Sequence, residues 1–225
     1  ANAVRETDVA LANADVQVVF DGLGAVPRLD LEAIGDTGGA SVTLQSALNY
    51  PAFVERGEVR IIDLTTGQTV STTAIAPNGQ TTISVPDGDD LAVVHRVYDA
   101  NGRFDETNPL RLGQLDQRGL ANGAEDGNDN TARRTISVSG GAVTVSGTDV
   151  APGARVTALG EVVPTGRDGK FVIQRILPAG DYGVDVSVQG AGQRVNLTRD
   201  ITIPRSEWFY VATVDLTYGI REGDS

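Results

Sequence analysis

The side chains with the greatest capacity for chemistry lie in one short acidic run, EDGNDNTAR, at residues 125–133. The run places carboxylate or amide oxygens at five of six consecutive positions: Glu125, Asp126, Asn128, Asp129 and Asn130. Ca²⁺ takes about six to eight oxygen ligands, and a short loop can bring several of them together. The run therefore predicts a calcium site formed by these five residues, with a solvated acidic linker as the alternative.

A second loop, DANGRFDET at residues 99–107, carries further oxygen ligands at Asp99, Asn101, Asp105 and Glu106. It lacks the layout of an EF-hand, because no glutamate stands at the closing position. Its Asn-Gly pair is typical of a hairpin turn. Calcium binding and an ordinary turn are the two interpretations of this loop.

The residue types that most enzymes need are scarce. The chain has no cysteine and a single histidine, His95, in the strand-like stretch LAVVHRVYD. One histidine without cysteine cannot complete a typical zinc site, and neither a G-x-S-x-G nucleophile turn nor a P-loop occurs. We interpret His95 as a packed or cross-strand-bonded residue and expect that the chain is not an enzyme.

The charge balance narrows the class of partner. The 225 residues include 30 acidic and 18 basic side chains, for a net charge of −12 at pH 7. That charge disfavours nucleic acid and anionic membrane surfaces, and no apolar run approaches the ~18 residues of a spanning helix. Because the first residue is alanine, we interpret the chain as a segment whose true start lies upstream.

Hydrophobic periodicity favours strands throughout the chain. In ASVTLQSALNYPAF (40–53), Val42, Leu44 and Leu48 share one side, and helical spacing is rare elsewhere. Short strands at close spacing are typical of sandwiches. We predict an all-β fold of two tandem immunoglobulin- or transthyretin-like sandwiches. The predicted parts are an N-terminal arm (1–14), a first sandwich (15–112), an acidic linker (113–134) and a second sandwich (135–225).

Two stretches share their turn chemistry, one in each predicted sandwich. Residues 76–94, APNGQTTISVPDGDDLAVV, and residues 166–186, GRDGKFVIQRILPAGDYGVDV, each open a strand with a turn and close it with Pro and Gly. This order favours two modules of related plan, although such turn residues are common.

The second of these stretches belongs to a longer one, residues 140–192, that resembles a carboxypeptidase regulatory-like domain. The matching positions are Gly147, 153–156 (GARV), 167–171 (RDGKF) and 177–182 (LPAGDY). The resemblance implies a transthyretin-like, seven-strand sandwich that accompanies another domain and carries no catalytic residues. The first half more loosely resembles an immunoglobulin-like bacterial envelope module.

The acidic run also has a family resemblance. Residues 126–130, DGNDN, are similar to the D-x-N-D-N linker motif of cadherins, in which calcium rigidifies the connection between sandwich domains. The other acidic motifs of those sites have no convincing counterparts in this chain. The resemblance implies calcium as the cofactor of the run.

The end of the chain carries an amphipathic aromatic stretch, EWFYVATVDLTYG (207–219). One face of the corresponding strand holds Trp208, Tyr210, Ala212, Val214, Leu216 and Tyr218. A membrane-spanning β-strand needs about 9–11 residues with an apolar outer face and aromatic ends. Two interpretations stay open: the last strand of the second sandwich, or the first strand of an outer-membrane barrel in a longer parent chain.

These features predict a non-catalytic segment of a larger bacterial cell-envelope or surface protein. We expect it to lie in the periplasm, the outer membrane or at the cell surface, as a spacer or as an interaction module for a protein or envelope partner. A calcium-dependent adhesion or ligand-binding module and an accessory domain of a secreted hydrolase are the alternatives. We expect no nucleic-acid partner and no transmembrane helix.

Overall fold

The computed structural model describes residues 4–10 (backbone only), 14–21, 26–34, 41–88, 90–117 and 129–205. In this part the chain forms seventeen β-strands and two short 3-10 helices, Pro51–Phe53 and Leu112–Gln117. The strands form four open sheets in which every pair of neighbours is antiparallel. The predicted all-β class is confirmed.

Sheets I and II are built from the middle of the chain, residues 26–133, which we call the central unit. Sheet I has the order β3-β4-β7, with β3 Leu29–Ala33, β4 Ser41–Leu48 and β7 Gln80–Ser84. Sheet II has the order β11-β9-β8-β5-β6, with β10 also on β8. Its strands are β5 Arg56–Asp63, β6 Thr69–Ile75, β8 Leu91–Tyr98, β9 Phe104–Thr107, β10 Leu110–Arg111 and β11 Thr131–Arg133.

Sheets III and IV combine the two ends of the described chain, and we call them the terminal unit. Sheet III has the order β15-β12-β2, with β2 Asp15–Asp21, β12 Gly141–Thr148 and β15 Phe171–Leu177. Sheet IV has the order β1-β17-β16-β13-β14. Its strands are β1 Val4–Ala10, β13 Arg155–Ala158, β14 Glu161–Val163, β16 Gly180–Gly190 and β17 Gln193–Ile203.

Each pair of sheets shares a hydrophobic core that follows the two-residue period of the strands. On β4 the buried positions alternate, and the predicted shared face of Val42, Leu44 and Leu48 is confirmed by their burial. Val42 and Leu44 pack with Val59 and Ile61 of sheet II. In the terminal unit, a separate cluster joins residues of sheets III and IV: Val18, Val143, Val145, Phe171, Ile173, Val156, Val184, Val186, Val188, Ile201 and Ile203.

The pairing of β2 differs from the sequence expectation, which placed residues 15–21 in the first sandwich. β2 pairs with β12, from Asp15 opposite Thr148 to Asp21 opposite Ala142. In the sequence, the central unit is therefore an insertion between two strands of the terminal unit that are hydrogen-bonded to each other. β1, within the predicted arm, pairs with β17. Bringing β2 and β12 together across so long an insertion costs little more than closing a short loop, because the entropy of loop closure grows only slowly with loop length.

The predicted acidic linker, 113–134, also contributes structure to the central unit where it is described. Its first residues continue the 3-10 helix Leu112–Gln117, and β11 is an edge strand of sheet II beside β9. Residues 118–128 lie outside the described part of the chain.

His95 connects the two sheets of the central unit from a fully buried position on β8. Its Nδ1 lies 3.1 Å from the carbonyl oxygen of Glu58, and its Nε2 lies 2.8 Å from Oγ of Ser46 on β4. The carbonyl can only accept, so Nδ1 donates; in the neutral ring, which burial favours, Nε2 then accepts the Ser46 hydroxyl hydrogen. The predicted packed, cross-strand-bonded histidine is confirmed. Burial lowers the pKa of His95 to about 4, which favours the neutral ring.

We predict that this histidine makes the fold acid-sensitive above the range of carboxylate titration. The ordinary pKa is 6.5 and the folded value is about 4, so the unfolded state takes up the proton first as pH falls through this window. Stability should decrease by up to about 3 kcal/mol between pH 6.5 and pH 4. Urea unfolding across this range measures the loss, and His95→Gln should flatten it.

The NMR titration of the single histidine is the companion measurement. A pKa near 6.5 in the folded protein would contradict the neutral, buried state.

Candidate functional site

The most extensively built polar site among the described residues is the junction between the central and terminal units. A buried cluster crosses it: Leu29, Leu48, Tyr50, Val97, Ile136 and Ile176. Four of these belong to the central unit, and Ile136 and Ile176 belong to the segment 135–205 of the terminal unit. The burial of apolar surface from both sides makes this contact a continuous core.

Tyr50 and Asp105 form the polar centre of the junction, and both are almost completely buried. The Tyr50 hydroxyl donates to Oδ2 of Asp105 at 2.7 Å. Oδ1 of Asp105 accepts from the backbone N–H groups of Thr135, at 2.6 Å, and Ile136, at 2.9 Å. Burial and the neighbouring Asp105 carboxylate raise the pKa of Tyr50, so the phenol stays protonated and keeps donating. The pair therefore fixes the chain where it leaves the central unit.

Asn49, the residue before Tyr50, makes the second polar connection. Its carbonyl accepts from the N–H of Ile176 at 2.7 Å. Because β15 is an edge strand of sheet III, this bond satisfies a donor that has no partner strand on that side. The Asn49 side chain accepts from the N–H of Arg28 at 2.9 Å and donates to the carbonyl of Val26 at 2.9 Å. Asn49 thus links the terminal unit, at Ile176, to the segment 26–28 where the chain enters the central unit.

The chemistry of the junction is structural. The Asp105 carboxylate accepts three hydrogen bonds, and Tyr50 is committed to one of them. Both side chains are shielded from solvent, so neither is placed to meet a substrate. What the arrangement does is hold two units in one orientation.

The predicted calcium residues are only partly described. Glu125, Asp126 and Asn128 lie outside the described residues, whereas Asp129 and Asn130 are described. Oδ1 of Asp129 accepts from the N–H of Thr131 at 3.1 Å, and Oδ2 pairs with Arg134. Burial alone would raise the pKa of Asp129, but the hydrogen bonds from Thr131 and Leu29 and the charge of Arg134 lower it.

Asn130, like Asp129, is hydrogen-bonded to Leu29 of β3. Its backbone N–H donates to the carbonyl of Leu29 at 3.1 Å, and its Nδ2 donates to the carbonyl of Asn108 at 3.4 Å. Both residues therefore fasten the start of β11 to β3. The five-residue calcium site stays a prediction.

The second loop, 99–107, does not gather its oxygens. Asp99 accepts from the N–H groups of Asn101 and Arg103, both at 2.9 Å, and its other oxygen pairs with the Arg103 side chain. Asp105 points into the junction, and Glu106 pairs with Arg96. Of the two interpretations, this geometry supports the hairpin turn. Among the described residues, no group of three or more His, Cys, Asp or Glu side chains is arranged to hold a metal ion.

The positions that resemble a carboxypeptidase regulatory-like domain serve the packing of the terminal unit. Gly169 has φ of +74°, which suits its turn. A Cβ at Gly147 would lie 2.3 Å from the ring of Phe171, so the buried phenylalanine requires glycine there. The Tyr182 hydroxyl donates to the carbonyl of Pro178 at 2.9 Å. Each of these roles is structural.

The amphipathic stretch 207–219 lies outside the described residues. Among the helices that are described, none has the length and apolar character to cross a membrane.

Sequence reasoning did not pair the two side chains at the polar centre of the junction. Tyr50 and Asp105 are 55 positions apart; Tyr50 stands in no recognisable motif, and the sequence marked Asp105 only as an oxygen ligand of the second loop. The one available signal was Tyr50-Pro51 directly after a strand, which places a large aromatic where the chain must turn.

We predict that Tyr50→Phe weakens the whole chain. The substitution removes the hydroxyl donor and leaves one buried Asp105 oxygen without it, which should cost about 1.5–3 kcal/mol. Denaturant unfolding measures the loss. Tyr182→Phe is the matched control, because its hydroxyl meets a neutral carbonyl and should cost about 1 kcal/mol. Equal losses in the two variants would contradict a special role for the Tyr50–Asp105 pair.

We also predict that the two acidic positions of the run respond differently to calcium. Asp129→Ala should destabilise the protein in EDTA as well as in Ca²⁺, because its carboxylate holds Thr131 and Arg134. Asp126→Ala should lower the melting temperature only in Ca²⁺, since an ion that binds only the folded state stabilises it more the higher its concentration is relative to its dissociation constant. Identical melting of the unsubstituted chain in EDTA and Ca²⁺ would contradict the calcium prediction.

No family model matches the chain, and no curated protein matches it either. Among solved structures, 79% of the chain is similar to a "Biofilm associated protein - BSP domain", with 20% identity and a TM-score of 0.28. A structure of dimeric latent PorU from Porphyromonas gingivalis is similar over 87% of the chain, with 11% identity and a TM-score of 0.23. The chain spans 29% and 24% of those two chains. Likeness at these TM-scores identifies neither a family nor a function.

Proposed function

We propose that this chain is a non-catalytic, extracytoplasmic module of a larger envelope or surface protein, in which the central unit is a pendant side branch. The module consists of two β-sandwiches, one inserted into the other. The module offers a surface for binding a partner, and it does not act as a spacer that extends the parent protein. Of the spacer and interaction roles expected from the sequence, this proposal takes the second.

The observation that carries the proposal is the pairing of β1 with β17. Val4, at the start of β1, lies opposite Arg199, and β17 continues only to Ile203. At about 3.4 Å per residue and about 4.8 Å between strands, the entry and exit of the unit lie roughly 15 Å apart. Tension applied through the two ends would therefore act across one strand pair, and the module would add little length in line.

The same end of the terminal unit carries the junction. Gly180 pairs with Ile203, and Gly141 pairs with Leu177, one residue after Ile176. The central unit leaves after Asp21, which pairs with Ala142 beside these residues. The branch is therefore anchored by two chain crossings, the buried cluster and the Tyr50–Asp105 pair.

The two alternatives stay separate proposals. A calcium-dependent adhesion or ligand-binding module requires metal-dependent stability from the run 125–130. An accessory domain of a secreted hydrolase requires a catalytic domain in the same parent protein. The extracytoplasmic location rests on the resemblance to envelope and carboxypeptidase regulatory-like modules.

The test is a distance between the two ends of the unit. Because the chain has no cysteine, Arg5→Cys with Thr202→Cys gives one pair of spin labels. Arg5 pairs with Thr198, so the Cα distance should be roughly 15 Å. An in-line spacer predicts more than about 35 Å, the length of an eleven-residue strand. Labels at Asp181 and Gln189, eight residues apart on β16, calibrate the measurement.

A further inference from the structure

Sheet II presents an unusual concentration of positive charge for a chain with net charge −12. Arg56 and Arg60 stand four residues apart on β5, and Arg96 of β8 lies opposite Glu58, midway between them. Arg133 of β11, the edge strand beside β9, adds a fourth cation. We call these four residues the arginine face. Glu58 and Glu106 lie among them, so cations outnumber anions four to two.

Aromatic rings hold the guanidinium groups against the sheet. The Arg56 guanidinium lies 3.6 Å from the Tyr98 ring centroid, and that of Arg96 lies 4.1 Å from the Phe104 centroid. Arg56 remains 58% exposed although it is stacked. Arg60 and Arg96 already pair with Glu58 and Glu106 within the sheet and are 27% and 19% exposed. Stacking restricts the arginine side chains, and their N–H groups outside these pairs are the ones that can bind carboxylates of another molecule.

One end of sheet IV presents the opposite charge in the same arrangement, whereas the exposed Arg155 and Arg194 flank Gln189 at the other end of the same face. Asp181 and Asp185 stand four residues apart on β16, and Asp200 of β17 lies opposite Gly183, midway between them. We call these three the aspartate face, and all three are exposed. Thr202 donates to Asp181 at 2.7 Å and Thr198 donates to Asp185 at 2.6 Å, each engaging one carboxylate oxygen. The side chains of neighbouring β1 lie outside the description.

The two triangles of charge match because both are set by the same sheet lattice. In each, two charges lie about 13 Å apart along one strand, with a third midway on the next strand about 4.8 Å away. Glu58 occupies the middle position of the arginine triangle, and Gly183 occupies the corresponding position between the aspartates. Gly183 has no side chain, so it leaves room for the Glu58 carboxylate when the two faces meet.

We propose that the arginine face of one copy of this chain binds the aspartate face of another. The two faces differ, so the contact is heterologous and can repeat from copy to copy. The net charge of −12 opposes approach at long range, but at physiological salt this repulsion is screened beyond about 8 Å while contact pairs persist. The contact extends the protein beyond a single module to a chain of modules.

Sedimentation equilibrium tests this proposal over a concentration series at about 0.15 M and about 1 M salt. The chain should associate at the lower salt concentration and dissociate at the higher one. Arg56→Glu with Arg60→Glu should weaken association by about tenfold or more, because like charges then face each other. Asp181→Arg with Asp185→Arg should do the same from the other unit. Arg167→Glu with Lys170→Glu, in an exposed turn, is the matched control and should leave association unchanged.

Mixing the two reversed variants gives the sharpest result. The reversed arginine face is acidic and the reversed aspartate face is basic, so the mixture should regain association that neither variant shows alone. Three outcomes would overturn the proposal: a monomer at all concentrations, equal loss in the control variant, or no recovery on mixing. A monomer that binds poly-glutamate through Arg56 and Arg60 would reassign the face to a foreign acidic polymer.

Discussion

The architecture depends on one buried carboxylate that must be satisfied. Asp105 is almost wholly removed from water, and an isolated charge there would be strongly unfavourable. Its three donors come from Tyr50 and from the backbone of residues 135 and 136. These donors can meet the Asp105 carboxylate only when the end of β4, strand β9 and the start of the return segment lie together. The requirement fixes the orientation of the central unit on the terminal unit.

This constraint explains how a fold with an unusual connection can remain one body. Residues 26–133 leave from β2 and return to β12, and those two strands pair with each other. Without the junction, the central unit would hang from two chain crossings alone. The apolar cluster supplies burial from both units, and Asn49 adds a backbone bond to Ile176 at the open edge of sheet III. Packing and polar specificity therefore act at the same place.

The sequence predicted what depends on near neighbours and missed what depends on distant ones. The inward face of β4, the bonded state of His95 and the all-β class follow from alternation and residue type, which are local. The partner of β2 does not, because its alternating valines would suit the edge of either unit. The Tyr50–Asp105 pair could not be predicted either, because the two residues come together only through the burial of segments that are far apart in the sequence. The charge triangles emerged only when strand register placed Arg96 and Asp200 at their midpoints.

The central claim is that the junction joins both units into one cooperative structure, and two-probe unfolding tests it most directly. NMR signals from His95 report on the central unit, and those from Tyr182 report on the terminal unit. Followed together through a urea titration, both signals should disappear at the same midpoint, as expected for a single cooperative transition. Loss of the His95 signal while that of Tyr182 stays folded would show two independent units and contradict the account.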